Sequence, residues 1–176
     1  MMHATSKKPN RIYLIGYMGS GKTTVGKKLA HKLNYRFVDL DDVIEKKAGY
    51  SITEIFQQQG ESFFRQLEHE ALKETFLFTN TVISTGGGTP IFFNNMEQMN
   101  AQGITIYIEL SPKSLVDRLK DSAAKRPLIM DKTEAELLQF IETGLQQREP
   151  YYKKAEVIAN GISLTVETII QALQRQ

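Results

Sequence analysis

Short apolar runs alternate along the chain with longer stretches in which apolar residues recur every three or four positions. Runs rich in Ile, Val and Tyr predict five strands: Arg11 to Ile15, Tyr35 to Asp39, Thr81 to Thr85, Ile104 to Leu110 and Glu156 to Ala159. After the first of them Val25, Leu29 and Leu33 recur every four residues and mark the buried face of a helix. Leu115, Val116 and Leu119 mark another, and Leu137, Leu138, Ile141 and Leu145 a third. Strand and helix alternate from one end to the other, which predicts an α/β fold around a parallel sheet.

Local signals place the helix ends. Ser51 with Glu54 and Thr133 with Glu136 match the capping box, Ser111 precedes a proline at a first helical position, and Gly49 suits a C-cap. One stretch breaks the rhythm. Residues 121–132 are small, charged and proline-bearing, and predict an exposed loop of about 12 residues, a length that usually signals a lid or a linker.

With 176 residues, 41% hydrophobic and 24% charged, the chain is sized for a single globular domain. We expect that domain to span residues 11–176, behind a polar, frayed terminus over residues 1–10. The basic residues Lys7, Lys8 and Arg11 before Ile12 to Ile15 weakly imitate a signal peptide, but the apolar run is too short. A net charge of +2 gives no broad footprint for nucleic acid or an anionic membrane, so an anionic partner must meet a local cluster. The absence of cysteine excludes disulfides, thiolate nucleophiles and Cys-based zinc sites, and fits a cytoplasmic location. His3, His31 and His69 lack metal-ligand spacing and read as surface or helix residues.

Gly16-Tyr17-Met18-Gly19-Ser20-Gly21-Lys22-Thr23 matches the P-loop pattern, between an apolar strand and an amphipathic helix. Glycines let the backbone curl around phosphates and aim N–H groups and a helix N-terminus at negative charge. Lys22 would reach the β and γ phosphates, and the Thr23 hydroxyl would hold Mg²⁺. A P-loop alone admits a GTPase, a motor, a regulatory ATPase or a small-molecule kinase.

Other polar residues narrow the choice. Asp39 and Asp41 flank Leu40 at the end of the second strand, and would point to the same side if the extended conformation persisted. Ligands sit beyond the carboxyl ends of parallel strands, so one acid could order a metal's hydration and the other accept a proton. With Asp42 they could equally serve the dipole of a following helix. Gly86-Gly87-Gly88 follows the third strand, either because something approaches the backbone or because the turn is tight. Ser84 before it could serve the phosphate or metal side, or be an ordinary strand residue. Arg65 and Arg148 suit a carboxylate and Arg126 a moving phosphate, although each taken alone also reads as a solvated surface charge.

Taken together, Gly16 to Thr23, Asp39-Leu40-Asp41, Phe64-Arg65 with Glu68, Gly86-Gly87-Gly88, Arg126-Pro127-Leu128 and Arg148-Glu149-Pro150-Tyr151-Tyr152 resemble the shikimate kinases in order and spacing, over nearly the whole chain. The resemblance implies a three-layer α/β/α P-loop kinase fold with a five-stranded parallel sheet of order 2-3-1-4-5. It implies transfer of the ATP γ-phosphoryl group to the 3-hydroxyl of shikimate by a cytoplasmic monomer with no nucleic-acid or membrane partner. Gly19, Ser20, Gly21, Lys22, Thr23 and Thr24 would bind ATP, Thr23 and Asp39 would hold Mg²⁺, and Arg126 would come from a lid at about 121–132. Lys22, Asp41 and Arg126 would be catalytic, with Asp41 also contacting the shikimate hydroxyls. Arg65 and Arg148 would clamp the carboxylate, Glu68 would hold Arg65, and the Gly87 and Gly88 backbone would meet the ring. The resemblance points to Arg118 for adenine stacking, across a stretch to Arg126 one residue longer than in the family. Asn160-Gly161-Ile162-Ser163 stands where the family often has Arg or Pro against adenine. The rival readings are another small P-loop kinase, such as a gluconate or nucleoside monophosphate kinase, and a non-catalytic binding module. Arginines suited to a carboxylate oppose the first. Retention of Lys22, Thr23, Asp39, Asp41 and Arg126 opposes the second.

Overall fold

The computed structural model describes residues 9–120 and 128–175. Five strands, β1 (Arg11–Ile15), β2 (Arg36–Asp39), β3 (Thr81–Ser84), β4 (Ile104–Glu109) and β5 (Val157–Asn160), form a parallel sheet of order β2-β3-β1-β4-β5. Each overlaps its sequence prediction, with no end displaced by more than one residue. Alternation along the central strand builds both faces. Ile12 and Leu14 enter one core cluster with Leu29 and Ala30 of α1 (Lys22–Leu33) and with Ile169 and Leu173 of the C-terminal helix. Tyr13 and Ile15 enter the other.

That larger cluster is closed by α2 (Leu40–Ala48), α3 (Ile52–Glu74), α4 (Asn95–Gln102), α5 (Pro112–Lys120) and α6 (Glu134–Tyr152), with α7 (Val166–Leu173) beside α1 on the opposite face. The result is three layers, helices on both faces of a buried sheet, as parallel strands require.

The predicted caps form. Ser51 and Glu54 make a reciprocal capping box, as do Thr133 and Glu136, and Gly49 ends α2 in the left-handed region. Ser111 Oγ accepts from the Ser114 N–H at 3.2 Å. Two features depart from regular helix geometry or composition. At Gly60 (φ 81°, ψ 175°) α3 kinks, a conformation open to glycine and disfavoured for other residues. Helix α6 runs through Pro150 to Tyr152, whose fully buried ring and hydroxyl bond to Gly87 O anchor the last turn.

Register brings the functional ends together. Asp39 lies opposite Ser84, and Ser84 opposite Leu14, one residue before β1 runs into the Gly16 loop. The C-terminal edge of the sheet therefore carries the glycine loop, the aspartate pair and the glycine triplet side by side.

Candidate active site

The loop from Gly16 leads into α1, whose N-cap Gly21 has no side chain to cover the first turn, so the N-terminus of the helix faces the loop. Gly19 has φ 81°, and a Cβ there would come within 2.8 Å of Leu119, so loop shape and the packing of α5 both require glycine. Lys22 Nζ donates to Gly16 O at 2.8 Å and Tyr17 O at 3.0 Å, bracing the loop by its own carbonyls. A cleft of about 330 Å³ opens here, lined by Gly19, Gly21, Lys22, Thr23 and Thr24 on one side and by Asp39, Asp41, Ser84, Gly86 and Gly87 on the other. Ser20 is placed differently. Its side chain is buried with no partner for Oγ among the described residues, while its carbonyl accepts from Arg118.

Asp39 and Asp41 do share the cleft, for a reason other than the predicted one. The extended conformation ends at Asp39 and α2 starts at Leu40, so the two acids are the N-cap and second residue of a helix. Asp39 Oδ1 accepts from the Asp41 N–H at 3.1 Å, and its Oδ2 from the Thr23 hydroxyl at 3.0 Å. Capping α2 and lining the cleft are thus compatible. Burial raises the Asp41 pKa to about 6, and the neighbouring charges of Asp39, Glu68 and Glu45 push the same way against Lys22.

The glycine triplet makes room for charged groups. A Cβ on Gly86 would meet Glu68 Oε1 at 2.9 Å, one on Gly87 would meet Arg148 Nη1 at 3.2 Å, and one on Gly88 would meet Arg65 Nη1 at 2.6 Å. Arg65 gives Nη1 to the buried Glu68 at 2.9 Å and Nε and Nη2 to Glu61, with its guanidinium 4.1 Å from the Phe92 ring centroid. Arg148 lies 4.8 Å from the ring centroid of Tyr17, a loop residue. Both arginines are thus partly buried beside the triplet, Arg65 on two carboxylates and Arg148 on an aromatic face.

Glu61 and Phe92 had not been singled out. Glu61 stands four residues before Arg65 on one helix, a readable i,i+4 signal, whereas nothing local to Phe92 announces its partner. Arg118 donates Nη1 to Ser20 O at 3.0 Å and Nη2 to Gly161 O at 3.1 Å, bridging the glycine loop to the turn after β5. Arg126 and residues 121–127 of the expected lid lie outside the described residues.

Thr23 and Asp39 offer hydroxyl and carboxylate oxygens 3.0 Å apart, the hard donors that Mg²⁺ takes. No group of three or more His, Cys, Asp or Glu among the described residues is placed to hold a metal. Mg²⁺ keeps several waters and shares phosphate oxygens, so a site with few protein ligands fits it.

The shikimate kinase family model matches residues 18–176. A shikimate kinase of Bacteroides fragilis is 44% identical over 169 residues, covering 94% of each chain. The crystal structure of shikimate kinase from Bacteroides thetaiotaomicron superposes with a TM-score of 0.86 at 43% identity, covering 95% of this chain and 96% of that one. Shikimate kinase from Acinetobacter baumannii in complex with shikimate gives 0.84 at 31% identity, over 94% and 93% of the two chains.

Proposed function

The chain belongs to the shikimate kinase family, and from that premise we propose how its residues divide the ATP-dependent phosphorylation of shikimate. ATP phosphates rest on the backbone from Gly19 to Thr24, with Lys22 turning from its loop carbonyls toward the β and γ groups. Arg65 and Arg148 grip the shikimate carboxylate, which orients the ring so that its 3-hydroxyl faces the γ phosphate over the Gly87 and Gly88 backbone. Asp41 accepts the hydroxyl proton. With a pKa of about 6 it is ionised at neutral pH, yet close enough to neutrality to be an effective base.

Thr23 and Asp39 would hold Mg²⁺, which would offset phosphate charge when bound. The far end of the expected 121–132 lid is not a wholly exposed loop, since Ile129 is buried in the larger core cluster. From the rest of that lid Arg126 completes the site, excluding water and adding positive charge at the transferring group. Among the described residues no helix is long and apolar enough to cross a membrane. A single domain over residues 11–176, working in the cytoplasm as a monomer on small molecules, belongs to the same reading.

One observation carries the assignment of the acceptor: two arginines, each anchored, stand against the glycine triplet that walls the P-loop cleft. A coupled assay of ADP release tests it. Shikimate should support turnover, gluconate and nucleoside monophosphates should not, and Lys22→Met should abolish the signal while leaving a folded protein. Turnover with gluconate at a rate matching shikimate would overturn the acceptor.

A further inference from the structure

The side chain of Glu68 is fully buried, and a carboxylate taken out of water needs a donor for each oxygen. Oε2 takes Arg65 Nη1 at 2.9 Å, and Oε1 takes the Thr89 hydroxyl at 2.6 Å. Thr89 is itself fully buried, just past the glycine triplet, and its carbonyl accepts from Asn95 Nδ2 at 3.0 Å. Asn95 is buried as completely, and since its amide nitrogen is committed to Thr89, its Oδ1 is the acceptor for His69 Nδ1 at 2.6 Å.

The backbone between these residues is bent to suit. Phe93 sits at φ 52°, a region bulky residues avoid, and its ring stacks on His69 with centroids 4.6 Å apart. The adjacent Phe92 turns the other way, onto the Arg65 guanidinium. The segment is thus pinned to α3 at three points: Thr89 on Glu68, Phe92 on Arg65, and Phe93 with Asn95 on His69.

We infer that Thr89 and Asn95 are positioning residues for shikimate binding, acting through Glu68 to fix the Arg65 guanidinium. Three of its five N–H groups are bonded to Glu61 and Glu68, which leaves one on Nη1 and one on Nη2 for an incoming carboxylate. Their direction depends on how Glu68 is held, and Thr89 holds the carboxylate oxygen that Arg65 does not. The inference rests on the reading that Arg65 binds the shikimate carboxylate.

Steady-state kinetics of four variants test it. Thr89→Val keeps the shape and deletes the donor, and should raise the shikimate KM about tenfold, the cost of losing one hydrogen bond to a charged group, with kcat and the ATP KM changed less than about twofold. Thr89→Ser restores the donor and should restore the KM. Asn95→Asp, which loses the amide donor to Thr89, should shift the KM in the same direction and decides the matter if Thr89→Val fails to fold. Arg65→Lys sets the benchmark. If it raises the shikimate KM while Thr89→Val and Asn95→Asp leave it unchanged, the positioning role is wrong and the clamp survives. If Arg65→Lys itself leaves that KM unchanged, the clamp fails and this inference falls with it. A loss in Thr89→Val shared equally by both substrates, and not rescued by Thr89→Ser, also overturns the proposal, as a general packing effect.

Discussion

The Thr23 hydroxyl donates to Asp39 Oδ2 across 3.0 Å, joining the first turn of α1 to the N-cap of α2 at the mouth of the phosphate cleft. Asp39 has two duties there, since its other oxygen caps α2. Asp39→Ala should cost about 1 kcal/mol of stability for the lost cap, or ~3 °C in Tm for a domain of this size. Asp39→Asn retains a capping oxygen and should melt nearer the wild type. Both should raise the Mg²⁺ concentration for half-maximal rate about tenfold, as loss of a metal's supporting groups does. Thermal melts beside Mg²⁺ titrations separate the two duties, and an unchanged Mg²⁺ requirement in both variants would remove Asp39 from the metal's surroundings.

Asp41 should set the acid limb of the pH profile. With its pKa raised to about 6 by burial and then by Asp39 and Glu68, kcat/KM for shikimate should fall as pH drops through about 6. The same shift fixes the sign of its effect on stability. Between the ordinary aspartate value of 3.8 and about 6 the folded chain holds a proton that the unfolded chain has released, so stability is lost as pH rises through that window. Asp41→Asn should therefore melt higher than wild type at pH 8 and not at pH 4, while losing about 10²- to 10⁴-fold in kcat. A loss of only a few-fold would leave Asp41 an orienting group.

The strands were legible because Ile- and Tyr-rich runs at a sheet's centre are buried on both faces, as β1 and β4 are. Helix α7 was less so. Its capping box pairs Thr165 with Thr168, without the Glu or Gln that marks the motif in a sequence. The Gly60 kink has no signature in periodicity, since apolar spacing resumes beyond it. The aspartate pair was found through an alternation that stops at Asp39, where the α2 cap does the work instead. The glycine triplet stayed ambiguous for a different reason. What approaches it comes from Arg65, Glu68 and Arg148, all distant in sequence, and no local pattern encodes such a meeting.

That meeting makes the triplet a graded test of the carboxylate clamp. Gly88 has φ −91°, so alanine suits its backbone, but the new Cβ would lie 2.6 Å from Arg65 Nη1. Displacing the guanidinium by that contact should cut kcat/KM for shikimate about 10²-fold, the usual effect of misplacing a binding group by an ångström. At Gly87 the corresponding distance to Arg148 is 3.2 Å, which a small shift relieves, so Gly87→Ala should lose less. ATP KM should hold in both. A Gly87→Ala defect larger than that of Gly88→Ala would show that the backbone, not the arginines, sets the effect.

The last prediction concerns charge at the transferring phosphoryl group. Among the described residues lining the cleft, Lys22 is the one cationic side chain, facing two carboxylates, Asp39 and Asp41. A bound triphosphate adds further negative charge, and even with Mg²⁺ the balance favours a second cation at the moment of transfer. Arg126, beside Lys125 in the loop that the sequence predicts over residues 121–132, is our candidate. Such an arginine acts on the transition state more than on either bound substrate. Arg126→Ala should therefore lower kcat and kcat/KM together by about 10³-fold, the lower range for an arginine of this kind, with the shikimate KM little changed. Arg126→Lys returns the charge without the planar fork and should recover part of the loss. If Arg126→Ala instead raises the ATP KM at unchanged kcat, the residue binds the nucleotide in the ground state, and the cation completing the transfer site must be sought elsewhere.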